Sequence, residues 1–434
     1  MQLVVRKELT PSTTLTYVHT DKFKTCCLSV NLITALSAET ATLSALLPRV
    51  LMRGSATYPD MASINAQLDA LYGARLVPVV RKKGECHCIG FLADFIDDDF
   101  VPKGEKVLEK VCDLVGELLL SPRTHGGLLT GEYVESEKKN LADEIRAGIN
   151  DKRTYAIERL YELMCAEEAF GVHRLGDLNR VEAITASSLT RHYKGLLPQA
   201  RVEIFYCGSH EIERVEGAIS RALATMPRAS KAETVSTDVR IQPVKETPRV
   251  FTDKMEVTQG KLSLGFRLGE TMLAPNYPAL MVFNAVYGGA VTSKLFENVR
   301  EKLSLCYYAS SRIEKHKGIM AVTSGVEFSK FKEAYNEILH QLELMKQGDI
   351  SDFELTAARR AVITSIKATL DSPIGLEDLC FDYRLAEIAI TPDEMAALCD
   401  SVTREELTKI AQSTRLDAVY YLAGKENGGD SDAH

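Results

Sequence analysis

Apolar residues recur at Leu43, Leu46, Leu47, Val50 and Leu51, a spacing of i, i+3, i+4, i+7 and i+8. That spacing draws one stripe along an amphipathic helix, which Gly54 ends. Ala45, Pro48 and Arg49 lie off the stripe. Before it, β-type alternation in Cys27-Leu-Ser-Val-Asn-Leu-Ile33 predicts a strand over 25–36, with two shorter strands over 3–7 and 14–18. After it the pattern predicts a helix over 61–71, with Asp60 as N-cap and Gly73 past its end. A hairpin of strands 76–80 and 86–92, turning at 81–84, comes next. Helical periods then cover 102–120 and 131–166, the second with a break at Gly148, followed by 181–193 and 211–224 around a strand at 200–206.

Residues 227–248 lose this periodicity and are rich in Pro, Ser, Thr, Lys and Glu, which marks a linker. Beyond it the order of elements repeats: a strand over 261–267, helices over 277–287 and 293–301 separated by Gly288-Gly289, and strands over 305–312 and 318–325. Helices from about Phe328 and Asp352 follow. Gln67-Leu-Asp-Ala-Leu-Tyr-Gly-Ala-Arg and Val299-Arg-Glu-Lys-Leu-Ser-Leu-Cys-Tyr each end a helix and enter a hairpin. The reading is a duplicated α+β chain: domain 1–226, linker 227–248, domain 249–423 and a mobile tail 424–434. Each domain is one antiparallel sheet covered by helices.

Composition narrows the partners rather than the fold. With 45% hydrophobic and 26% charged residues and a net charge of -8, the chain offers no basic field for phosphate backbones, so no nucleic-acid partner is expected. The first residues lack a basic segment leading into an apolar core, and no window approaches 18 apolar residues; a cytoplasmic protein without membrane contact is expected. The ten cysteines show no framework spacing and mostly sit in apolar runs, as reduced buried thiols do.

Helical zinc sites need two histidines four apart and a glutamate, and none of the nine histidines has a partner at that spacing. His210-Glu-Ile-Glu213 opens a helix and reads as a cap or surface segment. Cys86-His-Cys88 reads as a packed strand, and Gly126-Gly127 and Gly288-Gly289 match no phosphate loop. Glu137 and Glu144, seven apart, share one side of a helix that is equally a ligand face or a solvated one. Arg300 ends a helix and Tyr307 begins a strand; both are good donors to a developing oxyanion, and equally ordinary as a surface ion pair and a half-buried strand position.

Together, Leu51-Met-Arg-Gly-Ser55, Gly288-Gly289 and the segment Ser293 to Tyr307 resemble the insulinase/pitrilysin family of inverzincin metallopeptidases. The resemblance extends to about Tyr421 and implies the duplicated α+β unit. It places the family's two histidines and glutamate at Ala45, Arg49 and Pro48, so the H-x-x-E-H motif is lost and no metal or other cofactor is expected in this chain. The third ligand would fall at Glu144, with Glu137 as its upstream carboxylate, while Arg300 and Tyr307 match the family's substrate-binding pair. This asymmetry implies a non-catalytic subunit, similar to zinc-less members beside an active homologue in Gram-positive bacteria. A homologous zinc-bearing partner would then supply the metal and the base in a heterodimer acting on peptides. The alternative is a peptide-binding or scaffold protein, such as a homodimer, resembling relatives in respiratory complexes.

Overall fold

The computed structural model describes residues 3–229 and 234–425. Residues 230–233 of the expected linker and 426–434 of the expected tail lie outside the described residues, whereas Gly424 closes a strand.

Thirteen strands form among the described residues. In the first half these are β1 (Leu3–Thr10), β2 (Thr13–His19), β3 (Thr25–Ala35), β4 (Arg75–Lys83), β5 (Cys86–Ile96), the short pair β6 (Thr124–His125) and β7 (Leu128–Leu129), and β8 (Arg201–Gly208). The second half supplies β9 (Arg249–Met255), β10 (Gly260–Arg267), β11 (Cys306–Glu314), β12 (Ile319–Val326) and β13 (Arg415–Gly424). One sheet has the order β1-β2-β8-β3-β5-β4 and the other β11-β12-β10-β13-β9.

Set aside β1, and the two sheets are the same object. Each has three antiparallel ladders and one parallel pair, β2 with β8 and β9 with β13, at the same place in the order. Even a local irregularity recurs: Tyr72 at φ 61° and Ser304 at φ 48° both adopt the left-handed conformation just after the helical segment that precedes the hairpin. The duplication expected from the pattern is present in topology and in the α+β class.

The chain forms two compact units, neither continuous in sequence. The first contains residues up to Ala147, Val172–Thr237 and Thr369–Leu385; the second contains Gly148–Gly171, Asp238–Ala368 and residues from Ala386. Compared with continuous halves, each unit therefore holds one helix from the other half of the sequence. The single helix expected over 131–166 divides at Gly148 into Gly131–Gly148 and Lys152–Met164. Lys152–Met164 buries Ala156, Leu160, Tyr161 and Met164 in the core of the second sheet, with Tyr420, Leu422 and Ile319. Its counterpart Pro373–Leu385 buries Leu376 and Cys380 with Val18, Phe205 and Cys207 of the first sheet.

Buried ions fasten both helices. Just beyond Lys152–Met164, Glu168 accepts from Arg267 at 2.5 and 2.9 Å and pairs with Lys317 at 2.7 Å. Asp417 accepts from Arg267 and Arg249, each at 2.8 Å. On Pro373–Leu385, Glu377 accepts two bonds from Arg81 at 2.8 and 2.9 Å and one from Ser29 at 2.8 Å.

Further differences from the sequence pattern have local causes. The helix expected over 181–193 is two, Leu178–Ala183 and Ala186–Gln199, because Thr185 forms a capping box with Ser188. Strands β9 and β13 and helices Pro373–Leu385, Pro392–Ser401 and Arg404–Ser413 escaped the pattern reading. All ten cysteines are free thiols, eight of them buried. No helix among the described residues is long and apolar enough to cross a membrane.

Candidate functional site

The helix Ala41–Leu51 is more deeply buried than its stripe requires: only Leu43 and Arg49 retain appreciable exposure. Pro48 lacks the amide that would bond the Ser44 carbonyl, yet the helix runs through it, held by Leu46, Leu47, Val50 and Leu51 in the core. Gly54 is needed for space, since a Cβ there would lie 2.5 Å from the Pro59 carbonyl oxygen.

The residues singled out on this face come together in part. Ala45 and Pro48 are buried. Arg49 donates to Glu144 at 2.5 Å, and one turn on, Arg53 lies 3.4 Å from Glu137, which also accepts from Asn140 at 3.0 Å. Glu137 and Glu144 thus belong to an ion-paired face of Gly131–Gly148 rather than a solvated one. A guanidinium holds Glu144, so the positive charge at this face is built into the chain. The sequence reading missed two further arginines here. Arg81 and Arg174 line a cavity of about 310 Å³ with Arg49, Glu144 and the segment Pro78-Val79-Val80. Nothing in the linear spacing of 49, 81, 144 and 174 announces their convergence.

In the second unit, Leu295–Lys302 is a π-helix, a form often associated with functional sites. Arg300 near its end lies over the Phe296 ring at 4.7 Å and 3.5 Å from Glu301, so it is stacked rather than free to sweep solvent. Between Cys306 and Ala309 the ladder with β12 slips by one residue. This bulge contains Tyr307 and Tyr308 and re-aims them. Tyr307 is 65% exposed. Tyr308 instead carries the Arg153 guanidinium 4.2 Å from its ring. Gly288 permits the close approach of this region, for a Cβ would meet the Ser311 amide at 2.7 Å.

His210 is not the cap or surface residue expected. Glu211 is the N-cap, and His210 is buried where the ends of β3, β5 and β8 meet. Its Nδ1 lies 2.6 Å from the Tyr206 hydroxyl. The ligand atoms of Cys26, Asp97 and His210 lie within 4.8 Å of one another. They are already engaged: Cys26 donates to Asp97 at 3.2 Å, and Ser209 donates to Asp97 at 2.6 Å. Burial pushes the Cys26 thiol well above its ordinary range, and Tyr206 holds the ring nitrogen a metal would need. The group is a polar knot in the core. On β5, His87 bonds the Arg174 carbonyl at 2.9 Å, and burial pushes its pKa down to about 4, so Cys86-His-Cys88 is a packed strand.

Comparison with known proteins gives concordant findings. Residues 183–362 match the family described as "Peptidase M16 inactive domain". "Probable inactive metalloprotease YmfF" of Bacillus subtilis (strain 168) is 34% identical over 410 residues, covering 94% of this chain and 95% of that protein. A solved "conserved protein from Enterococcus faecalis V583" superposes with a TM-score of 0.89 at 28% identity, over 98% of this chain and 100% of the other. The "peptidase M16 inactive domain from Pseudomonas fluorescens" shares the fold, with a TM-score of 0.80 at 14% identity over 99% and 100% of the two chains.

Proposed function

We propose a function from one premise: the chain belongs to the peptidase M16 family, the insulinase/pitrilysin group, and is a non-catalytic homologue of its peptidases. It serves as one subunit of a heterodimeric zinc peptidase. The partner, a homologous chain with an intact H-x-x-E-H motif, holds the metal and the glutamate base. This chain contributes Arg300 and Tyr307 as donors to the peptide and to the oxyanion that forms at the scissile carbonyl.

The asymmetry between the two faces supports this reading. Ala45, Pro48 and Arg49 stand at the positions of lost ligands, and the third ligand position, Glu144, is neutralised by Arg49. Arg300, by contrast, is oriented on Phe296 and still 41% exposed at its side chain, and the adjacent bulge turns Tyr307 outward. An arginine and a tyrosine presented this way have donors available for a carbonyl arriving from outside the chain.

Co-expression with an intact paralogue tests the proposal through peptide cleavage by the pair. Arg300→Ala is expected to lower turnover about 100-fold and Tyr307→Phe by a similar or smaller factor, as loss of one oxyanion donor does. Unchanged turnover in both variants refutes the assignment. A chain that stays a homodimer and captures no zinc-bearing homologue would favour a peptide-binding scaffold instead.

A further inference from the structure

Arg49 and Glu144 open onto a charged cavity rather than a filled interior. Arg49, Arg81 and Arg174 line it together with one acidic residue, Glu144. The Arg81 guanidinium is neutralised by Glu377, whose side chain is fully buried, on the face of β4 opposite Val80, and Arg49 is neutralised by Glu144. Arg174 reaches Glu144 only at 3.8 Å, beyond hydrogen-bond length, and its side chain is 43% exposed. The cavity therefore has one positive charge more than its own carboxylates balance. Arg49 adds a second indication: its Nε is buried and has no hydrogen-bond partner among the described residues.

Its apolar lining comes from the segment Pro78-Val79-Val80 of β4, in which Pro78 and Val80 share the face that packs toward Leu46, Leu47 and Val50, and Val79 lies on the other. A volume of about 310 Å³ matches the lower end of small-ligand sites, enough for the end of a peptide rather than a whole chain segment. A planar guanidinium pairs best with a carboxylate, through two parallel N–H···O bonds.

We propose that this cavity binds a peptide carboxylate, held by Arg174 and Arg49 with the neighbouring aliphatic side chain against Pro78 and Val80. The ligand chemistry is a carboxylate at a peptide C-terminus or on an Asp or Glu side chain. In a peptidase pair, such a site anchors acidic ends of substrates or products. The inference builds on the function proposed above, in that the cavity lies on the face assigned to the lost ligands, but it makes a claim about the isolated chain.

The test uses the full chain alone and three fluorescently tagged hexapeptides, read by anisotropy at low and raised salt. One peptide ends in Leu with a free carboxylate, one is its C-terminal amide, and one is the amide with Glu in the penultimate position. The free acid, the Glu peptide or both are expected to bind about tenfold or more tightly than the plain amide, with the difference shrinking in salt. The arm that binds identifies the source of the carboxylate. Arg174→Gln, on the surface of the cavity, is expected to abolish the difference with the circular dichroism spectrum unchanged, and Arg174→Lys to retain part of it. Equal binding of all three peptides, binding of none, or a preference that survives Arg174→Gln overturns the proposal. Each of these results leaves the cleavage test of the heterodimer untouched, and failure of that test leaves this one standing.

Discussion

The same duplicated segment has been built in two ways. In the first unit, the regular helix Met61–Ala70, opened by an Asp60–Ser63 capping box, leads into a hairpin whose β4–β5 ladder keeps register from Arg75 to Lys83. In the second, a π-helix leads into a ladder interrupted by a bulge at Tyr307 and Tyr308. Topology is the shared constraint, because burying a helix-covered sheet tolerates only certain connections. The irregularities sit in the copy that bears the Arg/Tyr segment, where they decide which way side chains point rather than whether the sheet forms. In the first unit, Glu137 and Glu144, expected as vestigial carboxylates, are ion-paired with Arg53 and Arg49.

The units also fasten their incoming helices differently, and that contrast is open to the largest effects. Arg267 and Lys317 are fully buried around Glu168, whereas Arg81, the partner of Glu377, keeps 19% of its side chain exposed. Glu168→Ala is expected to destabilise the chain by about 4 kcal/mol in urea denaturation, because it removes the carboxylate that Arg267 and Lys317 share in a site water does not reach, leaving more buried positive than negative charge there. Glu377→Ala should cost only about 2 kcal/mol, since Arg81 can turn outward. Equal losses would erase the distinction.

Acid separates a buried carboxylate of each unit by sign. Burial pushes the Glu168 carboxyl up, but bonds from Arg267 and Lys317 outweigh it and bring it from 4.5 to about 2. A carboxylate depressed in the folded state adds stability above its unfolded pKa and loses it as pH falls through the folded one. Stability should therefore decline between pH 4.5 and about 2, and Glu168→Gln should flatten that limb of a urea-midpoint-versus-pH curve. Glu203 in the first unit has its pKa raised, by burial above all, against the pull of Arg201 and Arg384; its linkage runs the other way, so Glu203→Gln should leave no such flattening.

Smaller effects probe the repeated left-handed residues. Ser304→Gly and Tyr72→Gly, at φ 48° and 61°, should each stabilise by about 0.5–1 kcal/mol in thermal unfolding. A gain in only one copy would mean that the other is compensated by its surroundings. Smallest of all, Arg49→His alone should bind no stoichiometric zinc by elemental analysis. A site needs converging ligands, and buried Ala45 and Pro48 supply none.

Sequence by itself determined the duplication, the α+β class, the core stripe of Leu43 to Leu51 and the absence of a helical zinc motif. All are local periodicities or fixed spacings, which a chain displays without folding. The identity of Ala45, Pro48 and Arg49 was legible for the same reason. Tertiary structure decided what those positions do now. Arg49 meets Glu144, and Arg81 and Arg174 join them, only because β4, the loop after Val172 and the helix Gly131–Gly148 converge. Burial of His210 depended on Cys26 of β3, Asp97 just past β5 and Tyr206 of β8 arriving at one place. Assignment of Lys152–Met164 and Pro373–Leu385 to the opposite units was equally out of reach, because an amphipathic stripe states that a face must be buried and not which sheet buries it.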